Sequence, residues 1–490
     1  MSTDARARPP ERLPARSLGP PPALAALAIG AAAGGALAVW QPLIGLGLAF
    51  VAALAAVVAR LPIPRLGAAL VVLTALAAVA GPNLAAPPAP WLFAFRVLIV
   101  LLGLGLVGYL LMDGRLVIPA GVPRPAGLLA VWLLWSAISI GWAPDALAAL
   151  RWTAFLAMMA GLALGIALFC RRRRNVLIIL VALGCAFALA CLIALAEIAT
   201  GFHLPTSRGV KRQGLFGATS LFGNENNFAI YLTLTLPYLA VIPLFVRDVR
   251  LKALGYAGSA AALLLALTTG SKSALVSIGL ILLALLVIVG RDRESRGRAA
   301  AAGAIAAVAV ALVVPAALGS GPLALSQRAV TKLDFGLLLE QVESQTGSGG
   351  VRASLLSEGL GLVDETDGLG VGAGNAETSI KSLSDFPGAA NLHNWWLEVL
   401  VNGGVVGFAL YLTLFLTMLR GQTKAARASP DPLVRYLALA GALSLIGLIA
   451  GSLGPSTAIH FTPMWITFGL SIGAIVLARQ AAASPAGRAP

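Results

Sequence analysis

Chemistry in this sequence is concentrated in a few polar residues spaced far apart in an apolar chain. His393 sits in Asn391-Leu-His-Asn-Trp-Trp-Leu-Glu398, immediately before a long apolar run. An imidazole at a water–membrane boundary can act as a general base near neutral pH. It can also serve as an interfacial anchor beside Trp395 and Trp396. Arg208, Lys211 and Arg212 cluster in an earlier polar stretch, and Lys272 interrupts two apolar runs within Thr269-Gly-Ser-Lys-Ser273. Arg352 lies in the longest polar segment. Cations near membrane depth are costly unless paired or used. Converging, they would hold a polyanion such as diphosphate. Otherwise they pair with Asp364, Glu365, Asp367 and Glu377.

Two further stretches could assist. Asn224-Glu-Asn-Asn227 precedes an apolar run, where Asn224 can cap a helix or bond sugar hydroxyls. Gly368-Leu-Gly-Val-Gly372-Ala-Gly-Asn375 resembles a glycine loop whose amides approach a phosphate. It follows no strand of a βαβ unit, and the chain has no GxxxxGK[ST], so neither a dinucleotide fold nor ATP is implied. No His, Asp and Glu cluster has metal-ligand spacing, so no metal and no cofactor is expected. Cys170, Cys185 and Cys191 fall in or beside apolar runs and read as buried small residues rather than a disulfide framework.

The elements that must position these groups are membrane helices. Of 490 residues, 59% are hydrophobic and 11% charged, less than half the charge of a soluble domain. This excludes a soluble enzyme, a disordered scaffold and a nucleic-acid module. Apolar runs long enough to span a bilayer occur near 23–40, 42–59, 66–82, 92–112, 125–142, 148–169, 175–199, 222–246, 253–270, 272–290, 299–318, 396–419, 433–453 and 462–479. The expected fold is an all-α integral membrane protein, a polytopic bundle of about 12–14 transmembrane helices with a large extracytoplasmic loop. Residues 1–22 read as a cytoplasmic tail; Ala36-Leu-Ala38 resembles a signal cleavage site, but the long charged region before it argues against cleavage. Helices follow over 23–199 and over 200–318, the latter opening with an Arg-rich outer loop at 200–226. The large loop covers 319–395, with helical patches at Ser326–Glu343 and Arg352–Val363. The last helices span 396–479, and 480–490 form a second cytoplasmic tail.

With the N-terminus inside, 25 of the 35 basic residues fall in inner segments, giving +18 there and −3 elsewhere. The net charge of +15 therefore sets orientation and requires no nucleic acid. Both termini are expected in the cytoplasm and the long loops outside.

Taken in order, the motifs resemble the O-antigen ligase/O-antigen polymerase superfamily of bacterial cell envelopes, teichuronic-acid-type polymerases included. Arg212-x-Gly-Leu-Phe and Gly223-Asn224-x-Asn226-Asn227-x-Ala229-x-Tyr231-Leu232 look like the family's Arg-loop and following helix. Thr269-Gly-Ser-Lys272-Ser-Ala274 stands where the family usually has Ser-Arg-Gly. Arg352 and the Gly368–Asn375 stretch resemble the bounds of its large-loop signature. His393-Asn394-x-x-Leu397-Glu398-x-Leu400-x-x-x-Gly404-x-x-Gly407 is similar to its His motif. The likeness covers about 205–420; earlier residues match by hydropathy alone.

The resemblance implies a metal-independent GT-C-type glycosyltransferase in the bacterial inner membrane. Its donor would be a glycan on undecaprenyl diphosphate, and its acceptor a glycan or a lipid. It implies that Arg212 and Arg352 hold the diphosphate and that His393 serves the acceptor hydroxyl. Lys272 keeps the charge of the family's Arg without its bidentate geometry. Arg208, Lys211, Asn224, Asn227, Gly372, Asn394 and Glu398 complete the expected substrate site. The expected activity is polymerisation of repeat units. The alternatives are ligation of a finished glycan to a lipid or protein, and flipping of the lipid-linked glycan. A third is a structural envelope protein, which would not need His393.

Overall fold

The computed structural model describes residues 63–86, 89–113, 123–208, 217–290, 347–383, 392–455 and 458–483. The spans expected at 23–40, 42–59 and 299–318, the 1–22 tail and the Ser326–Glu343 patch lie outside them. The chain forms two units, 1–69 and 70–490. Apart from the opening residues of the first helix, everything described below lies in the second.

In chain order the helices are α1 (Ile63–Ala80), α2 (Ala94–Asp113), α3 (Arg124–Ile138), α4 (Ala146–Phe169), α5 (Arg173–Thr200), α6 (Glu225–Ala240), α7 (Ile242–Phe245), α8 (Val249–Thr269) and α9 (Lys272–Gly290). Beyond residue 346 come α10 (Gly347–Glu365), α11 (Ala376–Leu383), α12 (Trp395–Ala428), α13 (Pro432–Gly451) and α14 (Thr462–Ala483). Among the described residues, nine helices are long and apolar enough to cross a membrane, and two shorter apolar helices lie at Ala94–Gly105 and Lys272–Ile288. Each falls on an expected span. The protein is a polytopic helical membrane protein. Among the described residues there is one small hairpin, β1 (Ala85–Ala86) against β2 (Ala89–Phe93), antiparallel.

Helix boundaries follow local chemistry. Asp145 accepts a hydrogen bond from the Ala148 amide and opens α4; Asp248 and Asp431 cap α8 and α13 in the same way. Gly270, at φ 65°, ends α8 in the left-handed region and turns the chain directly into α9. The centre of the bundle is α6 and α13, each 72% buried over its apolar window, with α14 at 61%. Helix contacts in a membrane rely on small residues that let backbones approach. A methyl at Gly469 of α14 would stand 2.7 Å from the Ala163 carbonyl of α4, and one at Gly473 would meet Cys170 Cβ at 2.8 Å. Cys170 and Cys191 are buried as expected, whereas Cys185 is exposed on its helix. It lies on the outward face of α5, beside exposed Val181, Leu189 and Leu192.

One end of the bundle gathers the polar loops. Thr462 donates to the Ala78 carbonyl at 2.6 Å, Asn83 to the Leu221 carbonyl at 2.8 Å and the Trp395 amide to the Ser452 carbonyl at 3.0 Å. A cluster of Trp132, Trp395, Trp465 and Tyr411, each at most 1% exposed, anchors α3, α12 and α14 to one another. The opposite end is closed by Arg173 and Asp431 at 2.9 Å.

α12 departs from the span expected at 396–419. It runs on to Ala428 and is broken at Gly404, whose φ of 65° and ψ of −170° are not helical. The glycine loop explains the break. The Val371 amide donates to the Val401 carbonyl at 2.9 Å, and the Val405 amide to the Gly368 carbonyl at 2.8 Å. A side chain at Gly404 would collide with the Gly368 and Leu369 carbonyls. The kink therefore takes its hydrogen bonds from the loop. Gly404→Ala combines left-handed strain with a backbone clash, each a recognised source of destabilisation. It is expected to lower the thermal midpoint of the purified protein by several degrees, with loss of at least ~2 kcal/mol. An unchanged midpoint would show that the loop does not lock the kink.

Candidate functional site

His393 is held between two packed elements. Behind it, α10 packs on the start of α12 through Leu355, Leu362, Leu392, Leu397 and Val401, joined by Val371 and Ile380. Gly359 of α10 allows this approach, since a methyl there would stand 3.0 Å from Leu397 and 3.3 Å from Leu392. Ahead of it, Asn394 caps α12, accepting from the Trp396 and Leu397 amides at 3.1 and 3.3 Å. His393 itself adopts φ 48°. A left-handed backbone is uncommon for non-glycine residues, though Asn, Asp and His adopt it more often than most, and it persists where surrounding structure enforces it.

The structure brings Arg352 and Arg208 to this imidazole. Arg352 lies three residues before Leu355 on α10, so the contact that seats α10 also places its guanidinium. Burial, then the charges of Arg352 and Arg208, lowers the His393 pKa from 6.5 to about 4. The signs agree: a low-dielectric setting and two nearby cations all disfavour a third positive charge. His393 is thus neutral at pH 7. Arg352 opens to solvent on one side, yet the surrounding protein lowers its own pKa by burial.

Arg208 is fixed through a carboxylate that the sequence did not single out. Glu197, 4% exposed near the end of α5, accepts from the Thr219 and Ser220 amides at 2.7 and 2.8 Å and from the Thr219 hydroxyl at 3.1 Å. His203 Nδ1 stands 3.3 Å from the same carboxylate. The Ser207 hydroxyl is hydrogen-bonded to that of Thr219 at 2.7 Å, and the Arg208 amide donates to the Gly223 carbonyl at 2.7 Å. Both arms of the Arg208 loop are therefore tied to one buried side chain. Glu197→Gln turns an amide N–H toward groups that donate. An expected cost of ~1–3 kcal/mol should appear as a lower thermal midpoint, with Glu197→Asp less affected. Equal midpoints for wild type and Glu197→Gln would refute this clamp.

Other expected site residues take different places. Lys211 and Arg212 lie outside the described residues. Asn224 caps α6, its side chain accepting from the Asn227 amide at 2.8 Å, so the capping alternative describes its geometry. Gly372, at φ 88°, packs where a methyl would stand 2.7 Å from Ala143 Cβ and 2.9 Å from the Ser139 carbonyl. Around it the amides of Gly370, Val371 and Ala373 donate to Thr366, Val401 and Ser139. Asn375 accepts from the Asp145 amide at 2.8 Å. These donors are turned into the protein, so the glycine loop docks α10 onto α12 and the α3–α4 turn and does not form a phosphate cradle. Lys272 opens α9 at the same end of the bundle. Glu398 is 8% exposed in the first turn of α12, and its carbonyl accepts from Asn402 at 3.0 Å.

Beside the loop lies a cavity of about 330 Å³ lined by Arg96, Phe155, Thr206, Gly223, Asn227 and His460, among others. The Arg96 guanidinium sits 4.8 Å from the Phe93 ring centre and 5.2 Å from that of Phe155. His460 meets Phe155 edge-on at 4.3 Å. Although exposed, the His460 ring is enclosed enough that burial, then Arg96, lowers its pKa to about 4. In the sequence Arg96 is one of the ten basic residues that fall outside the inner segments. Among the described residues no three His, Cys, Asp or Glu side chains are grouped to hold a metal.

Comparison with known proteins agrees with this architecture. Residues 257–412 match the family model described as O-antigen ligase. That stretch includes Lys272, Arg352, the glycine loop, His393 and the α12 kink. The chain is also similar to the teichuronic acid biosynthesis protein TuaE of Bacillus subtilis (strain 168). The two are 23% identical over 379 residues, covering 73% of this chain and 72% of the relative. Over that matched region, and in its helical membrane fold, the chain is similar to the O-antigen ligase/polymerase superfamily.

Proposed function

We propose that the protein is an outward-facing glycosyltransferase that polymerises cell-surface polysaccharide repeat units carried on undecaprenyl diphosphate. The observation that carries this reading is the convergence of Arg208 and Arg352 on a neutral His393. The similarity to a teichuronic acid biosynthesis protein supports the polymer class. The basic residues at the Arg173–Asp431 end support an extracytoplasmic site, because Lys and Arg flank membrane helices on the cytoplasmic side. Both termini then lie in the cytoplasm.

In this reading the acceptor hydroxyl attacks the anomeric carbon of the donor sugar. His393 accepts the hydroxyl proton as the new C–O bond forms. The bond from the anomeric carbon to the phosphate oxygen breaks, and its electron pair leaves on the undecaprenyl diphosphate. Arg208 and Arg352 stabilise that developing charge in a partly dehydrated site, where fixed cations act most strongly. Lys272 at the mouth of α9 adds positive potential at the same end of the bundle. Asn227, Asn394 and Glu398 border the sugar path. The carrier is already activated, so no nucleotide and no metal is needed at the outer face.

The match to an O-antigen ligase model favours a second reading, transfer of a finished glycan to a lipid or protein. Purified protein in liposomes with a lipid-linked oligosaccharide separates these. Longer lipid-linked chains support polymerisation, and a conjugate formed only with an added acceptor supports ligation. Movement of the oligosaccharide across the bilayer without covalent change would replace both by a flippase.

A further inference from the structure

The cavity around Arg96 is separate in its chemistry from the cluster at His393. The two lie on either side of one loop: Thr206 and Gly223 line the cavity, and Gly223 accepts the Arg208 amide. Among the described residues its lining holds one permanently charged side chain, Arg96, and no carboxylate. Phe93 and Phe155 flank the guanidinium, and such stacking orients its planar edge. That edge suits the two oxygens of a carboxylate. Asn227 Oδ1 is buried, lines the cavity and has no hydrogen-bond partner among the described residues. It is placed to accept from a hydroxyl. The remaining walls, with Phe222 and Phe461, are apolar and aromatic. The volume falls at the low end of the ~300–1,000 Å³ of small-molecule sites.

A diphosphate gathers several cations, as at Arg208 and Arg352. One guanidinium, one orphaned amide oxygen and aromatic walls instead fit a single pyranose ring with one negative group. We infer that this cavity is a sugar subsite selective for an acidic residue of the transferred glycan, with the sugar carboxylate on Arg96 and a ring hydroxyl on Asn227. The inference rests on the glycan-transfer reading for its biological setting, but the subsite is testable without turnover. His460 beside Arg96 is neutral and bonds the sugar without repelling the guanidinium.

The test is saturation-transfer NMR on the full-length protein in nanodiscs, with methyl β-D-glucuronide and methyl β-D-glucoside as probes. The glucuronide is expected to bind about tenfold more tightly than the glucoside, the scale of one charge-assisted contact. Arg96→Gln should abolish that preference, and Arg96→Lys should retain part of it. Arg352→Gln should leave it unchanged. Inorganic diphosphate binding should be lost in Arg352→Gln and preserved in Arg96→Gln, which also shows that the Arg96 variant is folded. Equal affinity for both sugars overturns the inference. So does loss of glucuronide binding in Arg352→Gln with displacement by diphosphate, since the anion would then sit at the His393 cluster. If no glycan transfer is found while the Arg96-dependent preference stands, the proposed function falls and the subsite survives. If transfer depends on His393 but Arg96→Gln binds both sugars like wild type, the subsite alone falls.

Discussion

His393→Asn is expected to lower glycan transfer by about 10²–10⁴-fold, the usual contribution of a positioned general base, while leaving the protein inserted and folded. Asparagine is the informative substitution because residue 393 has φ 48°. Asn tolerates the left-handed region, whereas Ala adds backbone strain to the loss of the imidazole. His393→Ala should lose the same activity and also some thermal stability, so the pair separates chemistry from conformation. The measurement is initial rate of chain extension on a lipid-linked oligosaccharide, with circular dichroism and thermal midpoint alongside. Near-wild-type transfer by either variant removes His393 from the chemistry. Transfer restored in Asn but not in Ala would reduce its role to backbone shape.

What the sequence made legible, and what it hid, follows from the range of the forces involved. Membrane spans were readable because each is decided locally, by enough consecutive apolar residues to cross the bilayer. The break at Thr268–Ser273 appeared as the α8–α9 turn for the same reason. The kink at Gly404 was not readable as a kink, since it exists only because the Gly368–Val371 backbone supplies its hydrogen bonds from across the large loop. That same docking reassigns Gly372. A run of glycines signals close backbone approach but does not say whether the neighbour is a phosphate or another segment of protein. Asn224 had two readings of similar local chemistry, and the geometry of α6 satisfies the cap. Arg352 and His393 were recognisable from their motifs. Their approach depends on Leu355, Leu392 and Leu397 packing together, which no spacing reveals. Glu197 was hidden by its setting, the end of an apolar helix where a carboxylate reads as an interruption. Its partners, Thr219 and Ser220, lie more than 20 residues away.

Arg352→Gln is expected to lower kcat/KM by about 10²–10³-fold, the cost of removing one donor aimed at developing charge, and also to move the pH profile. The direction follows from what holds His393 low. Burial contributes first and the two cations next. Wild type therefore keeps its base unprotonated down to about pH 4, and the acid limb of kcat/KM, which reports the free enzyme, lies there. Removing the Arg352 charge lets the imidazolium form more easily. The limb shifts upward toward 6.5 but stays below it, because burial and Arg208 remain. The limb of kcat, which reports the substrate complex, is expected above that of kcat/KM in wild type. A bound diphosphate offsets the arginine charges and, as a diester, has no proton titrating in that range. The offset also strengthens the base when the acceptor is in place, since a pKa near the working pH suits proton transfer. In Arg352→Gln the gap between the two limbs narrows, because less cationic field is left for the substrate to neutralise. A purely structural role for Arg352 would lower the amount of active protein and leave both limbs where they are. Unmoved limbs with reduced amplitude would therefore refute the electrostatic coupling of Arg352 to His393, even if the variant were nearly inactive.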